Sequence, residues 1–398
     1  MKKRLVLIVL LSFIIFSITP AAVPGKITIW ASEAQVQQLK DFVKGFTAKY
    51  GIQVEVNEVS FSDIKPKFIT SAPTGEGPDI IVGAHDWIGE LVANGLLLPI
   101  DFLPNNVLSQ FTPVTLQAMS YKGKLYGIPY SQEAVALIYN KNLVPTPPTT
   151  YESLVRVAKK LTKGGTYGFL YDYNNFYYSF AFFSALGGYV FKETPQGLDP
   201  LDIGLANEGS IKGAQKLVDL FKEGILKQGI DYQTTTSLFS EGKLGMMITG
   251  PWEIDNIKRA KINYGVAKLP KIDGKPMRPF VGVQGFMLNS RSPNIAILKT
   301  FALEALATKE IELKLFEKDP RILARKDAYK VVSSNPDIKT FGASAADGIP
   351  MPNIPEMGPV WSSMGDALTL ITSGKKTPDI ALKEAVAQIK DAIQKARK

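Results

Sequence analysis

Aromatic side chains set beside glycine, proline and polar residues are the groups in this chain whose types and spacing point to chemistry. Asn175-Phe176-Tyr177-Tyr178, Gly250-Pro251-Trp252 and Pro359-Val360-Trp361-Ser362 place rings outside any helical stripe. In a groove, a ring face packs against the C–H face of a sugar while nearby polar side chains take its hydroxyls. The same rings serve equally well as core, and each segment taken singly leaves that open. Catalysis has fewer candidates. The single histidine, His85, removes Ser-His triads, histidine-metal clusters and most general-base chemistry, and it reads as a hydrogen-bonded structural residue. Cysteine is absent, so disulfides, thiolate metal sites and thiol nucleophiles are excluded. No glycine-rich phosphate cradle follows a strand. Asp and Glu number 37, and among so many some pair always imitates the paired carboxylates of a glycosidase, so carboxylates alone argue nothing. No cofactor and no metal is implied.

The elements that must position those rings read as α/β. Lys26-Ile27-Thr28-Ile29-Trp30 alternates as a strand. Val36, Leu39, Phe42, Val43, Phe46 and Tyr50 follow at helical spacing, with Gly51 where a helix would stop. Ile52, Val54 and Val56 alternate again, and Ile80-Ile81-Val82 reads as a short buried strand. A helix through Trp87, Leu91 and Val92 ends at Gly95, and Ala136 to Tyr139 reads as another strand. Strand-helix alternation of this kind predicts a parallel α/β sheet with helices on both faces. Further helices are predicted after Thr149, with Glu152 at capping-box spacing, from about Ser210 to Gly224, and after Thr377-Pro378.

Length and composition bound the class. The chain has 398 residues, enough for two domains, with 45% apolar and 21% charged residues, as a large globular core requires. Lys2, Lys3 and Arg4 precede a nearly unbroken apolar run of 14 residues from Leu5 to Ile18, and Thr19-Pro20-Ala21 offers small residues for cleavage. Such a run is short for a membrane span and suits a signal peptide, so residues 1–24 are expected to be removed on export to the periplasm. The rival reading is an uncleaved anchor. Without those three cations the formal charge falls from +9 to +6, and the remaining Lys and Arg are scattered, which argues against nucleic acid as a partner.

In order along the chain, several segments resemble the maltose/maltodextrin-binding proteins, within the extracellular solute-binding protein family of ABC importers. They are Gly77-Pro78-Asp79-Ile80-Ile81 with Ala84-His85-Asp86, Glu133 before Leu137-Ile138-Tyr139-Asn140-Lys141, Pro147-Pro148, and Gly187-Gly188-Tyr189. Then come Gly250-Pro251-Trp252, Asn263-Tyr264-Gly265-Val266, Pro279-Phe280-Val281-Gly282-Val283, and Met351-Pro352-Asn353-Ile354-Pro355 before Trp361. Each is common alone, and their joint order is specific. The resemblance implies a two-lobe periplasmic-binding-protein fold with three interlobe crossings and sugar in the cleft. It puts the N-terminal lobe at 25–131 and 286–331, the C-terminal lobe at 136–280 and 337–398, and the hinges at 132–135, 281–285 and 332–336. It implies a monomer that captures maltose or maltodextrin oligosaccharide and delivers it to a membrane permease, with no catalysis.

Carried over by position, Asp86 and Glu133 are expected to accept sugar hydroxyls. Tyr177, Trp252 and Trp361 are expected to be stacking platforms, with Tyr178 beside them. The departures are informative. An aspartate-lysine pair of the family falls on Ala34 and Gln35, with Glu33 next door as a substitute. A glutamate falls on Asn175, and an arginine on Gly365. A tryptophan is replaced by Gly83, while Trp87 stands at an arginine position. Loops at the carboxyl ends of strands bind ligands in open α/β sheets, so Trp87 is expected either to supply the ligand-facing apolar surface Gly83 lacks, opposite the second lobe's aromatics across the cleft, or to join Leu91 and Val92 in the core. Rival functions are a binder of another disaccharide such as trehalose, a glycosidase, or a surface protein without a sugar site.

Overall fold

The structure is a computed structural model that describes residues 25–195 and 197–397; the expected signal peptide lies outside the described residues. It is an α/β protein of two lobes, each built on its own sheet. In the first, Lys26–Ala31 pairs in parallel with Gln53–Glu58 on one side and Ile80–Ala84 on the other. The order then runs antiparallel through Phe280–Leu288 and Gly127–Ala134 to the short strand Ile322–Leu323. The second sheet has the order Tyr264–Ala267, Ala136–Asn140, Leu244–Thr249, Tyr167–Leu170.

Alternation along the first strands sorts the two faces. Ile27 and Ile29 turn to one core with Leu39, Val43 and Phe46 from the helix Val36–Tyr50, while Trp30 turns to the other. Gly51 ends that helix at φ 70°, a left-handed position that favours glycine. The expected capping box is displaced by one residue. Thr150 and Ser153, rather than Thr149 and Glu152, bond reciprocally at the start of Tyr151–Leu161. Thr149 is held outside the helix because its carbonyl accepts from Lys271 N–H at 2.9 Å. Thr377 stands at the N-cap of the last helix, Pro378–Ala396, but its hydroxyl makes no capping bond.

The chain passes between the sheets in three places. Gly127–Ala134 ends in the first sheet, and after Val135 alone Ala136–Asn140 begins in the second. Phe280–Leu288 arrives from the second lobe and is paired at once, with Ile349–Pro350 on its first two residues and Glu133 and Gln132 beyond. The third passage is the turn between the helices Lys326–Val332 and Pro336–Asp347. Residues 349–355 then run against the first lobe: Asn353 Nδ2 donates to Ala118 O at 2.9 Å and Ser120 O at 2.7 Å.

His85 ties this region together. Its Nδ1 accepts from Val283 N–H at 3.0 Å, and its Nε2 bonds Met351 O at 3.0 Å, which makes Nε2 the protonated nitrogen. The ring is buried, and burial lowers its pKa to about 4 despite both bonds. An unfolded chain takes up a proton near 6.5 and the folded chain does not. His85 therefore contributes stability that is full above about pH 6.5 and lost as pH falls toward 4, on the order of 3 kcal/mol in all. The only histidine gives one set of imidazole ring resonances, and their titration by NMR should show a midpoint near 4 in the folded protein.

Candidate functional site

Asp86 occupies the single tight turn His85–Trp87 directly after the strand Ile80–Ala84. It is buried, and burial pushes its carboxyl up to about 6 against the pull of Lys65 and a hydrogen bond from Trp361. That bond crosses between the lobes: Trp361 Nε1–H donates to Asp86 Oδ2 at 3.1 Å. Glu133 reaches the same region by a different route, as the penultimate residue of Gly127–Ala134. Its Oε1 accepts from Gln284 Nε2 at 3.1 Å, and its Oε2 is ion-paired with Arg321.

Arg321 continues the chain of charges. Its Nε donates to Asp319 Oδ1 at 2.6 Å, and Asp319 Oδ2 accepts from Gln35 Nε2 at 2.8 Å. Gln35 Oε1 in turn accepts from Ser32 Oγ at 2.6 Å. Gln35 is thus buried and committed to protein partners, whereas Glu33 beside it is exposed and outside that network.

The second lobe supplies the rings. Asn175 is exposed and caps the helix Phe176–Ala185, its Oδ1 accepting from Tyr177 N–H at 3.1 Å. The helix then presents Tyr177 and Tyr178 edge to face, with centroids 5.5 Å apart. Trp252 lies 6.2 Å from Tyr177 and 6.4 Å from Tyr178, and Tyr177 lies nearly parallel to Phe280 at 6.2 Å. Trp361 meets Phe280 at 5.6 Å and Phe176 at 6.1 Å. Tyr177, Trp252 and Trp361 are half-buried, and the Tyr177 hydroxyl is buried without a hydrogen-bond partner. A half-buried aromatic wall with an unspent hydroxyl, facing buried carboxylates, can grip a molecule with apolar faces and hydroxyl edges.

Several residues that shape this site carried no sequence signal. Trp252 is oriented by a relay in which its Nε1–H donates to Tyr232 OH at 3.0 Å and Tyr232 OH donates to Glu253 Oε2 at 2.6 Å. Glu253 directly follows the Gly-Pro-Trp segment and could have been found there. Tyr232 and Arg321 could not, because they are brought in from distant chain. An open surface cleft of about 440 Å³ is lined by Lys65, Glu90, Pro359 and Ser362 among others, and neither Asp86 nor Trp361 lines it.

Trp87 takes the second of the two places expected for it, in the core of the first lobe. Its ring is buried against Phe61, with centroids 5.0 Å apart, in one core with Ile88 and Leu91. It also fills the space above Gly83, where an added Cβ would lie 2.1 Å from its Cζ3. Gly83→Ala should therefore unseat Trp87 and cost about 1–3 kcal/mol. Trp87→Ala should leave a cavity and cost about 3–5 kcal/mol. The double variant should lose clearly less than the two together, and additive losses in denaturant melts would disprove the contact.

The comparisons with known proteins agree with this architecture. Residues 30–310 match the family model of the bacterial extracellular solute-binding proteins. Among similar curated proteins, the galactooligosaccharide-binding protein of Bacillus subtilis is 32% identical over 384 residues, covering 93% of this chain and 90% of its own. The maltotriose-binding protein of Pyrococcus abyssi is 32% identical over 373 residues, covering 89% and 79%. The maltodextrin-binding protein MdxE of Bacillus subtilis is 30% identical over 391 residues, covering 94% and 92%. With two sheets joined by three passages, an aromatic wall facing buried carboxylates, and a family match over most of its length, this chain belongs to the bacterial extracellular solute-binding protein family.

Proposed function

We propose that this protein is the capture subunit of an ABC importer, exported to the periplasm, that holds a maltodextrin-type oligosaccharide between its lobes and passes it to a membrane permease. One observation carries the reading: Asp86 of the first lobe meets Trp361 of the second, and Glu133, at the passage between them, is joined through Arg321 to Trp252 beside Tyr177 and Tyr178. Rings supply faces for sugar C–H surfaces, and carboxylates supply acceptors for paired hydroxyls. Asn175 borders this set at the start of the Tyr177 helix, and Gln35 is joined to it through Asp319 and Arg321. The lobes are taken as 25–131 with 286–331 and 136–280 with 337–398, moving about 132–135, 281–285 and 332–336. A ligand touched by both lobes favours the closed arrangement, because only there are all its contacts made. Three relatives are named for maltotriose, maltodextrin or maltooligosaccharide, which supports that class. A second reading, a galacto-oligosaccharide, is favoured by the relative named for that ligand at 32% identity.

Calorimetric titration with maltotriose and with a galacto-oligosaccharide decides between the two. The proposal expects heat from the first at far lower concentration than from the second, and the reverse order would replace it. Trp361→Ala removes roughly 60–100 Å² of ring surface from the ligand and should weaken maltotriose binding by about 1.5–2.5 kcal/mol. Normal affinity in that variant would take Trp361 out of the site. Export is read from the mature N-terminus, expected between Ala22 and Lys26; secreted protein that retains Met1 to Ile18 would contradict it.

A further inference from the structure

Trp252 has one face against backbone. Its six-membered ring lies on Gly250, where an added Cβ would come 2.1 Å from Cζ3 and 2.2 Å from Cη2. Its indole N–H is spent on Tyr232, which Glu253 holds in turn, so the ring cannot turn without breaking its hydrogen bond. Tyr177 and Tyr178 crowd its edges. Against this ring the first lobe presents Arg321, whose guanidinium carbon stands 5.2 Å from the ring centroid. That guanidinium is buried and anchored on its own lobe by Asp319 and Glu133. Asp319 is itself held by Gln35. Arg321 therefore belongs firmly to the first lobe and Trp252 firmly to the second, and their contact forms only when the lobes approach.

We infer that Arg321 is a specificity-determining residue that competes with the ligand for the stacking face of Trp252. The inference rests on the functional reading above and goes beyond it. A planar cation over an indole is attracted by the ring's negative face, and more strongly where water is excluded. A sugar ring stacked on that face must replace this attraction as well as reach Glu133, the residue to which Arg321 is paired. Ligands able to do both, with a C–H face and an adjacent hydroxyl pair, gain entry. An anionic sugar meets Glu133 and Asp319 as well as the cation and is disfavoured. Arg321 thus sets the threshold a ligand must pass before the lobes close on it.

The test is Arg321→Lys, titrated with maltotriose beside the wild type. Lysine keeps the positive charge between Asp319 and Glu133 but loses the planar group that covers the ring. Maltotriose affinity is expected to rise about 3- to 10-fold, the factor that follows from losing part of a cation–π contact. Unchanged or weaker binding would overturn the competition, weaker binding marking Arg321 as a direct donor to the sugar. Should the lysine variant fail to fold, the pair Asp319→Asn/Arg321→Gln removes one charge of each sign, and the same tightening is expected of it. A wild type that binds no oligosaccharide would defeat the functional reading and the competition together. A wild type that binds, with variants that bind no tighter, would defeat the competition alone.

Discussion

The backbone from Gly127 to Asn140 is the constraint on which the molecule turns. It is paired in one sheet through Ala134 and in the other from Ala136, so a single unpaired residue separates two rigid ladders. Every residue from Gly127 to Asn140 is buried except Gln132, and any bend between the lobes must be absorbed around Val135 and its counterparts in the other two passages. Glu133 stands two residues from that point. Its carboxylate is thus held by the same few residues that set the angle between the lobes. The partner strand is pinned as well, since His85 takes the Val283 N–H and Gln284 reaches Glu133. Geometry at the Glu133 carboxylate and geometry at the passage are mechanically one.

Placing charge there has a cost that the surroundings must offset. Glu133, Arg321 and Asp319 are all nearly inaccessible to water, and burying an unpaired ion costs several kcal/mol. The chain avoids unpaired charge by alternation, with a carboxylate on each side of one guanidinium and neutral amides at both ends, Gln284 on Glu133 and Gln35 on Asp319. Such a network contributes little net stability compared with an apolar core. What it supplies is orientation, because each member has a partner that fixes its rotamer before any ligand arrives. Asp86 is the exception. Its hydrogen-bond partner Trp361 is on the other lobe, and burial raises its pKa to about 6 against the pull of Lys65 and that bond.

How far all this could be read from sequence depended on whether the controlling contact was local. The helix Val36–Tyr50 and its stop at Gly51 were legible because spacing and a left-handed glycine act within one turn. The α/β class was legible from strand-helix alternation, and the rings of the second lobe from their glycine and proline neighbours. The capping box shifted to Thr150 because Lys271, more than a hundred residues away, claims the Thr149 carbonyl. Gln35 looked like a ligand residue and is consumed by Asp319. Asn175 looked like one too, and its Oδ1 is used to start a helix. Arg321 and Tyr232, which govern Trp252 from opposite sides, gave no local sign, since their meaning lies in partners that only the fold brings near.

The two tryptophans that follow strand ends show why residue type without packing can mislead. Trp87 and Trp252 each follow a strand end that has a glycine within one residue of it, Gly83 and Gly250, and each lays its ring where the Cβ of that glycine would be. The glycine is a seat in both cases. What differs is the free side of the ring. For Trp87 it is taken by Phe61 from the same lobe, so the indole is core and shapes the site only by filling the place above Gly83. For Trp252 it is met by a cation from the opposite lobe, a contact that depends on the angle between the lobes. The same local motif thus yields a ring packed within one lobe and a ring met by a group from the other lobe.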